Sequence, residues 1–403
     1  MMKKTIFFML CLAPMGAQAA FSFDNPLTGS GAVFSDSVSA TNVLIGYSVP
    51  ENPDLDNNIY TADGAGPDFS LFYNGDASDV SFKVTNELKI ENGYSLALGV
   101  DPENTNTIAV NLGSVNANGN LTITGVNTLT TGVINAAADL NIAAGSMTSG
   151  AITNATGNTD IDIAGDLKIG AFHNNTGANN TGAGNADIAA GTIVSDGDIE
   201  NRGTAGNVSV AAKSGGITVG GNIYNSSSNG MTVKATGDIE VTGTIKNDSN
   251  DGTMNITGAS LTVSGGDSDN ASFVNKGNLN INIAGETNLA NGFDLSAMGA
   301  DNTFSLTTGS LDLGAGADRW LGVFTNKLNE FTLIVKQGTV STAQGTGWNA
   351  VTNNGGDMRV HAPTIAVGNV TNNGNSLEIG NFEISDTIVD GTNSVTVNGD
   401  VRS

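Results

Sequence analysis

Cysteine is almost missing from this 403-residue chain, and the single one, Cys11, lies inside an amino-terminal apolar segment. Disulfides therefore hold nothing together in the rest of the protein. Histidine occurs twice, at His173 and His361, which with the absence of a Cys/His cluster leaves no zinc site and no metal centre expected. Basic residues are few: 15 Lys and Arg stand against 39 Asp and Glu, a formal net charge of −24. Such a balance repels nucleic acid and anionic lipid and argues against both as partners. Proline (7) and tryptophan (2) are scarce, and no apolar run reaches the ~18 residues of a membrane-spanning helix. There is no Gly-x-Ser-x-Gly and no phosphate loop, so no cofactor is implied.

Residues 1–19 have the pattern of a secretory signal. Lys3 and Lys4 supply the charged start, Ile6 to Ala13 a short apolar core, and Ala17-Gln18-Ala19 a small-x-small cleavage site. A mature chain starting at Ala20 keeps 13 basic and 39 acidic residues. Export to the medium or the cell surface is the expectation, with the periplasm as the other compartment.

What the chain does have is a tandem repeat. An apolar residue, any residue and then asparagine recur eleven times, ending at Asn135, Asn154, Asn174, Asn201, Asn225, Asn247, Asn275, Asn291, Asn326, Asn353 and Asn372. One or two apolar-x-apolar triplets precede each copy, as in Val208-Ser209-Val210, Ile217-Thr218-Val219, Ile223-Tyr224-Asn225. Period-2 alternation turns the apolar members inward, and Gly, Asn, Asp and Ser between triplets suit bends. The spacing predicts an all-β fold: a single right-handed parallel β-helix, a β-solenoid with three short strands per coil of ~23 residues. First triplets begin at Leu121, Leu140, Ile161, Ile188, Val208, Met231, Met254, Leu279, Phe304, Phe331, Met358, Leu377 and Val395. Thirteen such rungs at ~4.8 Å make a rod of about 60 Å. The eleven asparagines are expected to stack at one corner as a structural ladder, each amide bonding the next.

Residues 20–79 depart from the repeat, being rich in phenylalanine and carrying Pro50-Glu51-Asn52-Pro53-Asp54. They are read as an amino-terminal capping segment over the exposed first rung, with the parallel β-helix occupying residues 80–403. At the other end the strand rhythm continues to Val395-Thr396-Val397 with no polar capping element, so self-association through that rung is an expectation.

Runs such as Asp160-Ile161-Asp162-Ile163-Ala164-Gly165-Asp166-Leu167-Lys168-Ile169 and Lys234-Ala235-Thr236-Gly237-Asp238-Ile239-Glu240-Val241 resemble the repeats of filamentous haemagglutinins and autotransporter passengers. The resemblance covers residues ~120–400, and it implies a right-handed parallel β-helix with a surface or secreted, adhesin-like role.

Stacking lets outward columns be read from the sequence. The middles of the first triplets (Thr122, Asn141, Asp162, Ser209, Thr232, Asn255, Asn280, Ser305, Thr332) make a small polar face of the kind solvent simply covers. The column beside the ladder is richer: Ile134, Thr153, His173, Glu200, Tyr224, Lys246, Val274. His173, Glu200, Tyr224 and Lys246 are the candidate ligand-binding residues, because His, Tyr and Lys are the types that remove or offer a proton. No catalytic residue is assigned, since sparse cations and aromatics provide no acidic-sugar subsite. Asp54-Leu55-Asp56-Asn57-Asn58 has alternate-oxygen spacing but lacks the glycine and distal glutamate of a calcium loop. Trp320 sits in the longest excursion from the repeat and is read as a plug under that loop. Two functions fit: a non-enzymatic structural or adhesive protein of a Gram-negative type bacterium, whose partner is a surface glycan or a host or cell-surface protein, or a secreted or periplasmic polysaccharide lyase or hydrolase.

Overall fold

The structure, a computed structural model, describes residues 31–402 apart from 52, 56, 62–66, 78, 102, 105, 178–181, 267–270, 315–322, 338–339, 343–344, 347, 381–393 and 398–400. The segment read as a signal peptide, Asp56 of the weighed calcium loop and Trp320 lie outside the described residues. Every regular element among the described residues is a strand.

The triplets behave as alternation dictates. Val208–Ala212, Ile217–Val219 and Ile223–Asn225 bury every second residue, starting with the first and ending with the last, and leave those between less buried. Each strand pairs in parallel with its counterpart one coil later: Val210 opposite Val233, Ile217 opposite Ile239, Ile223 opposite Ile245. Three strands thus elapse between partners, which is the register of an all-β solenoid. The pairing is parallel almost throughout. Val340–Thr342 and Gly345–Thr346 pair antiparallel.

Earlier coils use longer strands. Leu140–Asn154 runs 15 residues without interruption and pairs with Asn120–Thr131, Ile134–Ala136, Thr159–Ile163 and Asp166–Asn174 in turn. Three separate strands per coil therefore appear only from Ala186 onward, where Gly- and Asp-containing bends fall between triplets. The parallel sheet also starts before residue 80. Val43 lies opposite Leu88, Ala32 opposite Leu71 and Leu71 opposite Leu98. Between residues 31 and 79, Gly31–Phe34, Val38–Ile45 and Asp68–Tyr73 keep the parallel pairing of the later coils, whereas Asn58–Tyr60 pairs back onto Val38–Ile45.

Inward residues make one continuous core. Ile217, Ile223, Ile239 and Ile245 are all 0% exposed, each side chain contributing about 1.5–3 kcal/mol of apolar burial. Toward the later coils the core becomes aromatic: ring centroids of Phe273 and Phe293 lie 5.4 Å apart, Phe293 and Phe304 5.6 Å, Phe304 and Phe331 4.9 Å.

The register corrects one outward column. Leu140 sits opposite Thr159, not Ile161, so Asp160 follows Asn141 and precedes Asp187 and Ser209 on that face. Asp162 belongs to the next outward position, beside Ala143. Thr159 is 2% exposed yet polar, which hid it from an apolar pattern. Its hydroxyl accepts the Asn154 amide at 2.7 Å.

Corners carry ladders of their own. The side-chain oxygens of Asn120, Asp139, Asn158 and Asn185 each accept the backbone N–H of the next rung, at Asp139 (3.1 Å), Asn158 (2.8 Å), Asn185 (3.0 Å) and Asn207 (2.9 Å). Asp198 and Asn222 do the same for Asn222 and Thr244 at another corner. These contacts give turn N–H groups the partners that a bend denies them. Gly230 ends the first series because its φ is +103° and a Cβ there would lie 2.2 Å from Thr253 O.

Candidate functional site

Nine of the eleven motif asparagines fall into two rows held in register. Asn154, Asn174, Asn201, Asn225, Asn247 and Asn275 occupy consecutive inward corner positions and are each 0% exposed. Asn326, Asn353 and Asn372 share a register in the later coils. Amide links run from Asn201 to Asn225 (3.2 Å), Asn225 to Asn247 (2.9 Å), Asn247 to Asn275 (2.9 Å) and Asn353 to Asn372 (3.0 Å). Spare amide hydrogens go to corner carbonyls, as from Asn201 to Gly206 O and Asn247 to Gly252 O.

Two of the eleven stand elsewhere. Ile134 pairs with Ile152, which puts Asn135 opposite Thr153, on the outside, with Ala136 in the corner. Val133 and Ile134 are both apolar, so the sequence offered two registers, and the exposed one for Val133 (43%) prevails. Asn291 lies in a turn, because Phe293 pairs with Phe273 and takes the strand position. There its N–H donates to Ser272 Oγ at 2.8 Å. The row also contains an unforeseen member. Asn174 gives its amide to Gly184 O, and the bond to Asn201 Oδ1 (3.1 Å) comes from Asn175 instead. Asn175 adopts φ 60°, a left-handed conformation that asparagine tolerates better than most residues, and is fully buried.

The outward column beside this row runs Asn135, Thr153, His173, Glu200, Tyr224, Lys246, Val274, Asp294, with Asn135 replacing Ile134. His173, Glu200, Tyr224 and Lys246 are thus on successive rungs. Glu200 is 5% exposed. Its Oε2 lies 2.5 Å from His173 Nδ1, and Arg202 grips both of its oxygens at 2.7 Å. Burial alone would raise its pKa, but the His173 and Arg202 contacts outweigh that and hold the carboxyl down at about 2. The bond to Glu200 in turn holds the Arg202 guanidinium above its ordinary pKa.

A second cluster follows two rungs on. The Tyr224 hydroxyl donates to Asp248 Oδ2 at 3.3 Å, and burial, then the Asp248 charge, pushes its pKa up. Lys246 Nζ is 3.3 Å from the same oxygen and 5.7 Å from the Tyr224 ring centroid. Lys276 pairs with Asp248 Oδ1. Burial would raise the Asp248 carboxyl, and the two lysines, Lys276 first, bring it below its usual range.

Arg202, Asp248 and Lys276 escaped the sequence reading, yet each directly follows a corner asparagine. Extending the repeat by one residue would have found them. The amino-terminal extension of the column was missed because coils before residue 120 are irregular. Lys89 and Asn116 continue it, with Lys89 3.5 Å from Glu87 and Asn135 donating to Asn116 at 3.0 Å. Lys89 also lies 5.4 Å from the Tyr47 ring, whose hydroxyl is pushed up to about 12 by burial and by Glu91.

Chemically, both clusters are closed on themselves. Glu200 has cations or donors on both oxygens, and the Tyr224 hydroxyl is engaged as a donor. Among the described residues no group of three or more His, Cys, Asp or Glu side chains is placed to hold a metal ion. No helix among them is long and apolar enough to cross a membrane. No family model, curated protein or solved structure matches this chain.

Proposed function

We propose that this chain is a non-enzymatic, exported structural or adhesive protein, acting at the cell surface or in the medium through a surface glycan or a cell-surface protein. The observation that carries this reading is the mutual saturation of the candidate column. A lyase or hydrolase needs a base free to take a proton and cations free to hold a sugar carboxylate. Here the acids and cations are spent on one another, and the tyrosine hydroxyl, raised by burial, stays protonated at neutral pH. The amino-terminal signal pattern supports export.

Three strands per coil of ~23 residues suit a single parallel β-helix, and parallel crossovers within one sheet are right-handed in about 98% of cases. A capping role for the first segment is supported by Asn58–Tyr60. It pairs with Asn42–Leu44, the same residues that face Glu87–Lys89, so it must lie along the opposite edge of that strand.

The test is a paired assay. Neither uronate-rich nor neutral polysaccharides should yield unsaturated ends, read by ultraviolet absorbance, or new reducing ends, while the protein should bind whole cells or immobilised glycans. Cleavage that disappears in both Tyr224→Phe and Lys246→Ala, with folding unchanged, would replace this reading by the polysaccharide lyase or hydrolase.

A further inference from the structure

Asparagine followed by glycine can rearrange without an enzyme, since a glycine N–H reaches the preceding side-chain amide with little hindrance. The chain has eight such steps, at Asn74, Asn92, Asn118, Asn229, Asn291, Asn354, Asn373 and Asn398, the last outside the described residues. The fold treats the other seven differently.

Five steps have the amide or the glycine N–H engaged, or the glycine tightly enclosed. The Asn354 and Asn373 side chains bond each other at 2.9 Å, while the glycines after them donate to Asn353 Oδ1 and Asn372 Oδ1, both at 3.2 Å. Asn291 donates to Gly265 O at 3.4 Å, and Gly292 N–H to Leu289 O at 3.3 Å. Gly119 and Gly230 are buried so closely that a Cβ would lie 1.9 Å from Tyr94 O and 2.2 Å from Thr253 O. Asn74 is held more loosely, by Asp101 and Asn104 at 3.4 Å.

Asn92–Gly93 differs on every count. The pair forms the tip of the turn closed by Tyr94 N–H to Glu91 O at 3.2 Å, and both residues are exposed. Among the described residues the Asn92 amide has no hydrogen-bond partner and the Gly93 N–H has no acceptor. Gly93 has φ +85°, and no atom lies within 4 Å of where its Cβ would be. Among the described residues, the restraint on rotation of that peptide toward attack is the Tyr94-to-Glu91 turn bond, with no side-chain bond added to it. Meanwhile none of the six buried corner asparagines from Asn154 to Asn275 precedes a glycine.

We propose that Asn92 is a site of self-catalysed backbone modification. The Gly93 nitrogen attacks Asn92 Cγ; the new N–C bond closes a succinimide, the Cγ–Nδ2 bond breaks, and ammonia leaves carrying the Gly93 proton. Water then opens either imide carbonyl, leaving an aspartyl or an isoaspartyl linkage at position 92. No oxidant or partner is needed. The product adds a negative charge beside Glu91 at the outer edge of the first coils.

The modification needs no ligand and is tested on the full chain. Folded protein is incubated in mildly alkaline buffer, digested, and mapped by mass spectrometry at the seven described steps. Conversion at Asn92 should outpace that at each of the other six by about tenfold or more, the factor that one lost hydrogen bond is worth. In denaturant the seven rates should converge to within a few-fold. An acidic isoform on isoelectric focusing should appear with time and be absent from Asn92→Gln. Equal rates in the folded chain, earlier conversion at another step, rates still separated in denaturant, or an acidic isoform persisting in Asn92→Gln would each overturn the proposal.

Discussion

Asn225 and Asn135 carry the same motif in sequence and opposite positions in the fold, so replacing each by alanine separates the ladder from the motif. Asn225 is 0% exposed and makes four side-chain bonds: it accepts from Asn201 at 3.2 Å and Ser227 N–H at 3.3 Å, and donates to Asn247 at 2.9 Å and Ser227 O at 3.2 Å. After Asn225→Ala, Asn201 keeps the Gly206 carbonyl as acceptor. Asn247 Oδ1 and the Ser227 N–H lose these partners within a fully buried corner. Two buried groups orphaned at the lower end of the usual cost give a loss of about 2–4 kcal/mol. Asn135 is exposed, and its bond to Asn116 can be replaced by water, so Asn135→Ala should cost under ~0.5 kcal/mol. Denaturant unfolding followed by circular dichroism measures the difference. Because stacked repeats open locally, hydrogen exchange at Ile223 and Ile245 should show it at the site. Equal losses for the two variants, or a loss below ~0.5 kcal/mol for Asn225→Ala, would refute the reasoning.

Other consequences follow from particular contacts. Glu200 has a folded pKa of about 2 against an ordinary 4.5, so its charge stabilises the fold above pH 4.5 and that contribution is withdrawn as pH falls toward 2. Arg202→Ala should raise the carboxyl's pKa and move the acid-unfolding midpoint upward; an unmoved midpoint would mean that Arg202 does not hold it down. Phe304→Ala, between rings at 5.6 and 4.9 Å, should cost about 3–5 kcal/mol by equilibrium unfolding. Ser209→Ala, on the outward polar face, should change stability by less than ~0.5 kcal/mol in the same experiment.

Periodicity made the strands legible because burial acts on every second residue, and the corner asparagines followed from where each periodic run stops. Register was legible only where apolar residues left one choice. At Val133-Ile134-Asn135 two choices existed, and pairing of Ile134 with Ile152 decided between them. At Thr159 a buried hydroxyl took a position that the pattern reserved for an apolar side chain. Exposed corner ladders from Asn120 to Asn207 were invisible because turn-forming Asx residues also abound where no rung-to-rung bond forms. In the outward column, the sequence placed His173, Glu200, Tyr224 and Lys246 together but not Arg202, Asp248 and Lys276. Whether a charge is free or spent depends on that neighbouring column, and so the chemistry of the site could not be judged from its own residues.

In-register stacking of successive coils underlies the ladder, the core and the candidate column, and cysteine pairs test it most directly. With Cys11→Ser, the double variant Ser209→Cys/Thr232→Cys puts thiols on outward residues that face each other on adjacent strands. Their separation of about 4.8 Å is within reach of a disulfide. Ser209→Cys/Asn255→Cys spans two rungs, about 9.6 Å, beyond that reach. Mild oxidation should cross-link the first pair within one chain and leave the second reduced. Efficient cross-linking of the second pair, with none of the first, would contradict the account.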